Sequence, residues 1–308
     1  MSAPGATTWA APWRRSAGRP GWAALAVAAA VLVAVPVVAV VVEALAPADG
    51  RRSAGWPPQL AEMVVTTVAL LLGVGVGTLV VGGGLAWLVT AHRFPGRGVL
   101  AWLLVLPLAM PAYVLGFVFL SVFDYPGPVQ SGLRAAFGAA VWFPEVRSLP
   151  VAVAVLTLTL YPYVYLLART AWLEQAPPTY DAARTLGATR RRAVWRVVLP
   201  LARPSLAAGL ALVMMETLTD FATVRYFGVQ TVSVGVYQVW KGSFDRHAAT
   251  QLAVLVLLFA VAILVLERRL RGGARYHQRG GRAHGLPPVP LCGWRAWTAT
   301  AGCLAVLG

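Results

Sequence analysis

The sequence predicts an all-α protein that crosses a membrane several times. Of its 308 residues, 58% are hydrophobic and only 12% are charged, and the mean hydropathy is +0.69. A soluble domain of this size needs far more polar surface. Apolar runs long enough to span a bilayer as helices, roughly 20 residues each, recur along the chain. They lie near 22–42, 63–89, 99–123, 149–168, 205–224 and 249–266.

These runs divide the chain into five predicted parts. The first run is too long for the apolar core of a signal peptide, so it is predicted to be an anchored helix. The last part is shorter than the roughly 20 residues of a full span, and we expect the chain to be a truncated N-terminal half. The parts are a cytoplasmic tail (1–21), a first membrane helix with its outer loop (22–59), a transmembrane domain of about five helices (60–266), a basic flexible linker (267–293) and the start of a further helix (294–308).

The basic residues predict the orientation. A cytoplasmic N-terminus places most of them in cytoplasmic segments, as the positive-inside rule requires. The net charge of +15 is therefore a topology signal, and nucleic-acid binding is not needed to explain it. The residues predicted to be cytoplasmic are Arg14, Arg15, Arg19, Arg93, Arg97, Arg169, Arg184, Arg190, Arg191, Arg192, Arg196, Arg203, Arg268, Arg269, Arg271, Arg275, Arg279, Arg282 and Arg295. The opposite loops carry only Arg51, Arg52, Arg134, Arg147, Arg225, Lys241 and Arg246.

The loop 169–204 is predicted to form two short helices joined by a turn. Thr179 is suited to cap the first helix, and Gly187 can adopt the left-handed conformation that ends it. Thr189 is suited to cap the second helix.

The second helix of this loop is predicted to be amphipathic and short. Val194, Val197, Val198 and Leu201 follow the spacing of one helix face. Pro200 disfavours helix at Leu199 and should break the hydrogen-bond ladder there. An ordinary interfacial helix whose arginines face anionic lipid would show the same pattern.

The spacing D-A-A-x3-G-x9-V-x-L-P in this loop resembles the EAA loop of bacterial ABC importer permeases, with Asp where Glu is usual. The resemblance implies a type I ABC importer permease (MetI-like) whose loop is a coupling element for cytoplasmic ATP-binding subunits. The chain has no G-x4-G-K-[ST] segment, so we expect it to bind no cofactor and the partner subunit to use the ATP. The residues implied in docking are Asp181, Ala182, Ala183, Gly187, Val197, Leu199 and Pro200.

Other segments resemble ferric-iron permeases. They are 127–134, 216–221, 226–229 and 235–240. The resemblance implies transport of ferric iron delivered by an extracytoplasmic binding protein, which would dock on outer loops such as 124–148 and 225–248. It also implies a second permease half, in the same chain or as a homodimer or heterodimer, in a bacterial inner membrane. Related permeases move phosphonate, thiamine, polyamines or sugars, and these substrates stay open.

Glu216 and Asp220 are predicted to lie one turn apart on one face of a membrane helix. Carboxylates at membrane depth are costly unless they face a bundle interior or water, so they are candidates for a translocation path. Packing between helices, with Arg225 as a partner, explains them equally well. A proton- or ion-coupled secondary transporter would use them as a relay. No further oxygen-rich position accompanies them, and no nucleophile–base pair is evident, so neither a metal site nor enzymatic activity is predicted.

Two smaller features concern helix packing. Gly73 and Gly77 predict close approach of helices inside the membrane. The three tyrosines of segment 161–165, which surround Pro162, predict an interfacial aromatic belt and a helix distortion.

Overall fold

The computed structural model describes residues 20–46, 58–174, 176–272 and 288–307. Contacts divide the chain into two compact units, residues 1–47 and 48–308. In the first unit, helix α1 spans Pro20–Leu45 and contains Pro36. The predicted tail 1–21 lies almost wholly outside the described residues, as do positions 47–57 of the first outer loop and 273–287 of the linker.

The second unit is helical apart from one pair of two-residue strands. Its elements are α2 (Leu60–Ala91), β1 (His92–Arg93), α3 (Arg97–Leu103), a 3-10 turn (Leu106–Ala109), α4 (Ala112–Phe123), α5 (Pro128–Phe137), α6 (Leu149–Glu174), α7 (Ala176–Thr185), α8 (Arg190–Ala193), a π-helical segment (Val194–Val198), α9 (Leu199–Thr219), α10 (Ala222–Tyr226), α11 (Val232–Gln238), a second π-helical segment (Val239–Ser243), α12 (Arg246–Arg271), β2 (Val289–Pro290) and α13 (Trp294–Leu307).

Six helical stretches in the described ranges are long and apolar enough to cross a membrane. They are Gly21–Leu45, Leu60–Ala91, Ala112–Phe137, Leu149–Leu173, Arg190–Thr219 and Arg246–Arg271. Five of them overlap the predicted runs closely. The third is displaced, because the predicted run 99–123 is interrupted by Pro107 and Pro111 and resumes as α4.

Helices α2, α6 and α9 form the centre of the second unit, and glycines of α2 let α6 approach closely. A Cβ atom at Gly77 would lie 2.5 Å from Oγ1 of Thr157, and one at Gly82 would lie 2.6 Å from the carbonyl oxygen of Tyr161. A Cβ atom at Gly73 would lie 3.0 Å from Val153. The prediction that Gly73 and Gly77 serve helix packing is therefore confirmed.

The tyrosines of α6 do not form an interfacial belt. Tyr161 and Tyr165 are fully buried, and their hydroxyl groups donate to the carbonyl oxygens of Leu104 (2.9 Å) and Ala101 (3.0 Å). Those carbonyls lack helical partners because the chain tightens into i−3 bonds where α3 ends, including Val105 N–H to Trp102. The belt prediction was wrong because these hydrogen-bonding needs arise more than fifty residues away in sequence. Pro162 lies inside α6 without ending it.

The segment after the linker returns to the helical unit. Strand β2 pairs in parallel with β1, with His92 opposite Val289, and the hydroxyl group of Thr300 in α13 donates to the carbonyl of Pro95. Ala296, Ala299 and Cys303 of α13 are buried. Residues 288–307 thus pack beside α3, and α12 runs to Arg271, beyond the predicted boundary at 266.

Candidate functional site

The loop between α6 and α9 forms the predicted helical elbow, which consists of α7, a four-residue turn and the helical run that starts at Arg190. Gly187 has φ +85°, a left-handed conformation that glycine adopts at little cost. The N–H of Ala188 donates to Ala183, and the N–H of Gly187 donates to Arg184. This pair of bonds is the Schellman arrangement that closes a helix end, so the predicted turn at Gly187 is confirmed.

Both helices of the elbow have defined ends. The hydroxyl oxygen of Thr189 accepts a hydrogen bond from the N–H of Arg192, which confirms the predicted cap of the second helix. The guanidinium of Arg184 donates to the carbonyl of Ala188 (2.7 Å) and ties the turn to the first helix. Thr179 is not a cap, because α7 begins three residues earlier, at Ala176.

The prolines of the elbow do not break its second helix. The chain is helical from Arg190 to Thr219, and Pro200 lies in the first turn of α9. The helix accommodates Pro200 through the preceding π-helical segment, where the N–H of Leu199 donates to the carbonyl of Val194, five residues back. Proline removes one i−4 bond and crowds the carbonyl four residues before it, and a π turn relieves both constraints. The predicted break at Leu199 was therefore wrong.

The elbow is anchored to the bundle on one side and exposed on the other. Tyr180, Ala193, Val194 and Val198 are buried in a cluster shared with α2, α3 and α6. The predicted apolar stripe is thus largely confirmed. Of the predicted docking residues, Asp181, Ala182 and Gly187 are exposed, whereas Ala183, Val197, Leu199 and Pro200 are half-buried.

One residue of the exposed tip was not identified from the sequence. Leu186 has 87% of its surface exposed and directly precedes Gly187. A large apolar residue at the solvent-exposed end of a helix is unfavourable unless it is covered by something else. Its position next to a helix-ending glycine is the signal that would have identified it.

Glu216 and Asp220 do not share a helix face. Glu216 is exposed on α9, but α9 ends at Thr219 and Asp220 has an extended conformation. Oδ1 of Asp220 accepts a hydrogen bond from the N–H of Thr223 (2.9 Å) and caps α10. Aspartate favours such capping over a place inside a helix, and this preference separates the predicted pair.

Arg225, the suggested partner of these carboxylates, contacts an aromatic ring instead. Its guanidinium lies 4.9 Å from the ring centroid of Tyr237. The ion pairs among the described residues join Arg147 to Asp124 and Arg271 to Glu267. Within the same residues, no group of three or more His, Cys, Asp or Glu side chains could hold a metal ion.

A family model described as the binding-protein-dependent transport system inner membrane component matches residues 78–271. The chain belongs to this family. The matched range includes the whole elbow as well as Glu216 and Asp220, and it begins within α2 and ends with α12.

Three relatives within this family carry different substrate names. The sulfate transport system permease protein CysT of Escherichia coli (strain K12) is 33% identical over 186 residues, which cover 58% of this chain and 65% of that protein. The molybdenum transport system permease protein ModB of the same strain is 27% identical, covering 74% of this chain and 97% of that one. The Fe(3+)-transport system permease protein FbpB 2 of Haemophilus influenzae is 22% identical, covering 72% and 40%. The narrower likeness to ferric-iron permeases is therefore not specifically supported.

Chains of solved ABC transporter structures share the fold. A chain of a bacterial alginate ABC transporter, solved in complex with an alginate pentasaccharide-bound periplasmic protein, superimposes with a TM-score of 0.63 at 16% identity, covering 83% of this chain and 97% of that one. A chain of the inward-facing MetNI methionine ABC transporter gives 0.54 at 20% identity, covering 70% and 96%. The chain is thus a multi-pass membrane protein with the fold of ABC importer permeases. Which of its ends faces the cytoplasm stays a prediction.

Proposed function

We propose that this chain is a transmembrane permease subunit of an ATP-binding-cassette importer. It passes a solute from an extracytoplasmic binding protein into the cytoplasm, and a separate ATPase supplies the energy. The observation that carries this proposal is the elbow, which presents an exposed tip while its base is built into the bundle core.

The elbow has the mechanical properties that coupling requires. The tip at Asp181, Ala182 and Leu186 is exposed, so a partner can bind it without disturbing the core. The base is continuous with α9 through the π-helical segment, and Tyr180 is buried beside the end of α6. A push on the tip is therefore transmitted to α6 and α9 as rigid elements.

A substitution at the elbow turn tests this proposal. Gly187→Val forces a β-branched residue into a left-handed conformation, which costs about 1–2 kcal/mol and distorts the tip. With the ATPase and binding protein present, we expect at least a tenfold loss of stimulated ATP hydrolysis, while membrane insertion persists. Gly96→Val is the matched control, because Gly96 also has positive φ (+76°) but lies outside the elbow. Equal hydrolysis in both variants would contradict the proposal.

Leu186 provides a second test that involves no backbone strain. Because the side chain is exposed, Leu186→Asp should leave the free energy of unfolding unchanged and weaken co-purification with the ATPase. Leu186→Met is the conservative control and should bind normally. Undiminished co-purification of the aspartate variant would show that the tip is not part of the docking surface.

The cargo is proposed to be a small inorganic solute. Relatives named for sulfate and molybdenum transport favour a tetrahedral oxyanion, and the relative named for Fe(3+) transport keeps ferric iron as the second candidate. The binding protein would dock on loops 124–148 and 225–248. Uptake of radiolabelled sulfate, molybdate and ferric iron by the complete transporter separates these candidates, and uptake of none of them, with transport of an organic solute, would reject the class.

A further inference from the structure

An open pocket of about 750 Å³ lies beside the elbow. It is bounded by the second half of α2, the end of α6 and the helical run that starts at Arg190. Its volume falls within the range of 300–1,000 Å³ that is typical of ligand sites. Of the residues predicted for docking or for the translocation path, Leu199 lines this pocket and the others do not.

The pocket wall along α2 is an apolar trough. A Cβ atom added at Gly83 or Gly84 would meet no heavy atom within 4 Å, so the glycines leave a gap in the helix surface. Leu79 and Leu206 line the trough, and Trp87 packs edge-on against Trp172, with ring centroids 5.5 Å apart. From Leu79 to His92, helix geometry gives a length of roughly 20 Å, which is comparable to the roughly 15 Å of one bilayer leaflet's hydrocarbon.

The rim of the trough is cationic. Arg190 and Arg191 line it, and Arg191 also lines an adjoining pocket with Arg192 and Arg196. The ion pairs in the described part of the chain lie elsewhere, so no described carboxylate neutralises these arginines. The pKa of His92 at the rim is lowered first by burial and then by the neighbouring charge of Arg190.

An unused hydrogen-bond donor accompanies this charge. Trp172 is 3% exposed, and its indole Nε1 is buried without a partner among the described residues. Indole nitrogen only donates. Trp195 lies at the rim and is 63% exposed. Tryptophan is enriched at membrane–water interfaces, so this residue suits a rim at the level of the lipid headgroups.

We propose that the pocket binds one anionic phospholipid. An acyl chain would lie in the trough along Gly83 and Leu79, and the phosphate would contact Arg190 and Arg191. The trough is about as long as one leaflet and suits an acyl chain, and the uncompensated cationic rim suits an anionic headgroup. A zwitterionic lipid brings its own cation next to the phosphate and leaves the net charge of the rim uncompensated, and a free anion leaves the trough empty.

Lipid retention by the purified full chain tests the proposal. In detergent, phosphatidylglycerol or phosphatidylcholine is added, and the bound fraction is measured by native mass spectrometry and by the shift in melting temperature. We expect one retained phosphatidylglycerol and at least tenfold less phosphatidylcholine. Arg190→Gln combined with Arg191→Gln should lower phosphatidylglycerol retention at least tenfold, and Gly83→Leu should fill the trough with the same result.

Two matched controls separate this site from general effects. Arg268→Gln with Arg269→Gln removes an exposed cationic pair on α12, and Gly98→Leu adds the same side chain at a helical glycine that also faces open space. Both controls should retain lipid as the unmodified chain does. Equal loss in the controls, equal binding of both lipids, or displacement by inorganic phosphate would overturn the proposal. So would a cross-link from Gly84→Cys to a second permease half, since a protein would then fill the trough.

Discussion

Tyr161 and Tyr165 complete the hydrogen bonding of a helix to which neither residue belongs. Where α3 ends ahead of Pro107, the carbonyls of Ala101 and Leu104 lose their i+4 partners, and the two hydroxyl groups replace them. In hydrocarbon no water can satisfy such carbonyls, so an unpaired group costs several kcal/mol. The break in this membrane segment is therefore tolerated because α6 supplies the missing donors.

The first prediction concerns one of these hydroxyl groups. Tyr161→Phe keeps the ring and leaves the Leu104 carbonyl buried without its donor, which should lower the free energy of unfolding by about 1–3 kcal/mol. Thermal unfolding in detergent measures the loss. Tyr113→Phe is the control, because Tyr113 is 49% exposed and should change stability little. Equal melting temperatures for both variants would show that the bond is not needed.

At this scale, the sequence predicted local features and missed distant ones. Gly187 and Thr189 were identified correctly because a left-handed turn and a helix cap depend on residues within five positions. The roles of Tyr161 and Tyr165 depend on carbonyls that only the folded chain brings near, and Leu186 was missed because exposure is a property of the fold.

Among the elements, α2 and α6 are held together by a seam of glycines. The membrane offers little hydrophobic driving force for helix association, so close packing carries more of the stability. Gly77 faces Thr157, and Gly82 faces the α6 backbone. The neighbouring Gly83 and Gly84 face open space and contribute nothing to this seam.

The second prediction uses that contrast within one helix. Gly77→Ala places a methyl group 2.5 Å from Oγ1 of Thr157, and overpacking of this kind costs about 1–3 kcal/mol. Gly83→Ala meets no atom and should stabilise α2 by up to about 1 kcal/mol through helix propensity. Melting temperatures should therefore move in opposite directions. Adding Thr157→Ala to the Gly77 variant should restore most of the loss, and no restoration would mean that the clash lies elsewhere.

Prolines show why element boundaries were harder to predict than element types. Pro107 lies in the first turn of the 3-10 segment and Pro111 directly precedes α4, so both stand at new helix starts, whereas Pro162 and Pro200 lie in helices that continue. The residue itself imposes the same constraint each time. The outcome depends on whether a π turn or a neighbouring side chain satisfies the displaced bonds, and that information is not local.

For the whole molecule, composition predicted the class of fold correctly. Apolar runs of span length leave few alternatives to a helical membrane bundle, and the elbow spacing predicted the family. The substrate was not predicted to the same depth, because relatives named for sulfate, molybdenum and Fe(3+) transport all match this chain, at 33%, 27% and 22% identity. The orientation of the chain in the membrane is predicted only from the placement of its basic residues.

The last prediction tests that orientation. Cys292 is exposed and Cys303 is buried, so a chain carrying Cys292→Ser and Cys303→Ala provides a background without thiols. In this background, Leu186→Cys and Trp142→Cys each place a thiol at a position more than 80% exposed, on opposite sides of the membrane by the positive-inside rule. A membrane-impermeant maleimide should label the Trp142 variant in right-side-out vesicles and the Leu186 variant only in inverted vesicles. The reverse pattern would place the elbow outside, beyond the reach of any cytoplasmic ATPase. Labelling of both from one side would mean that the apolar stretch between them, Leu149–Leu173, does not cross the membrane.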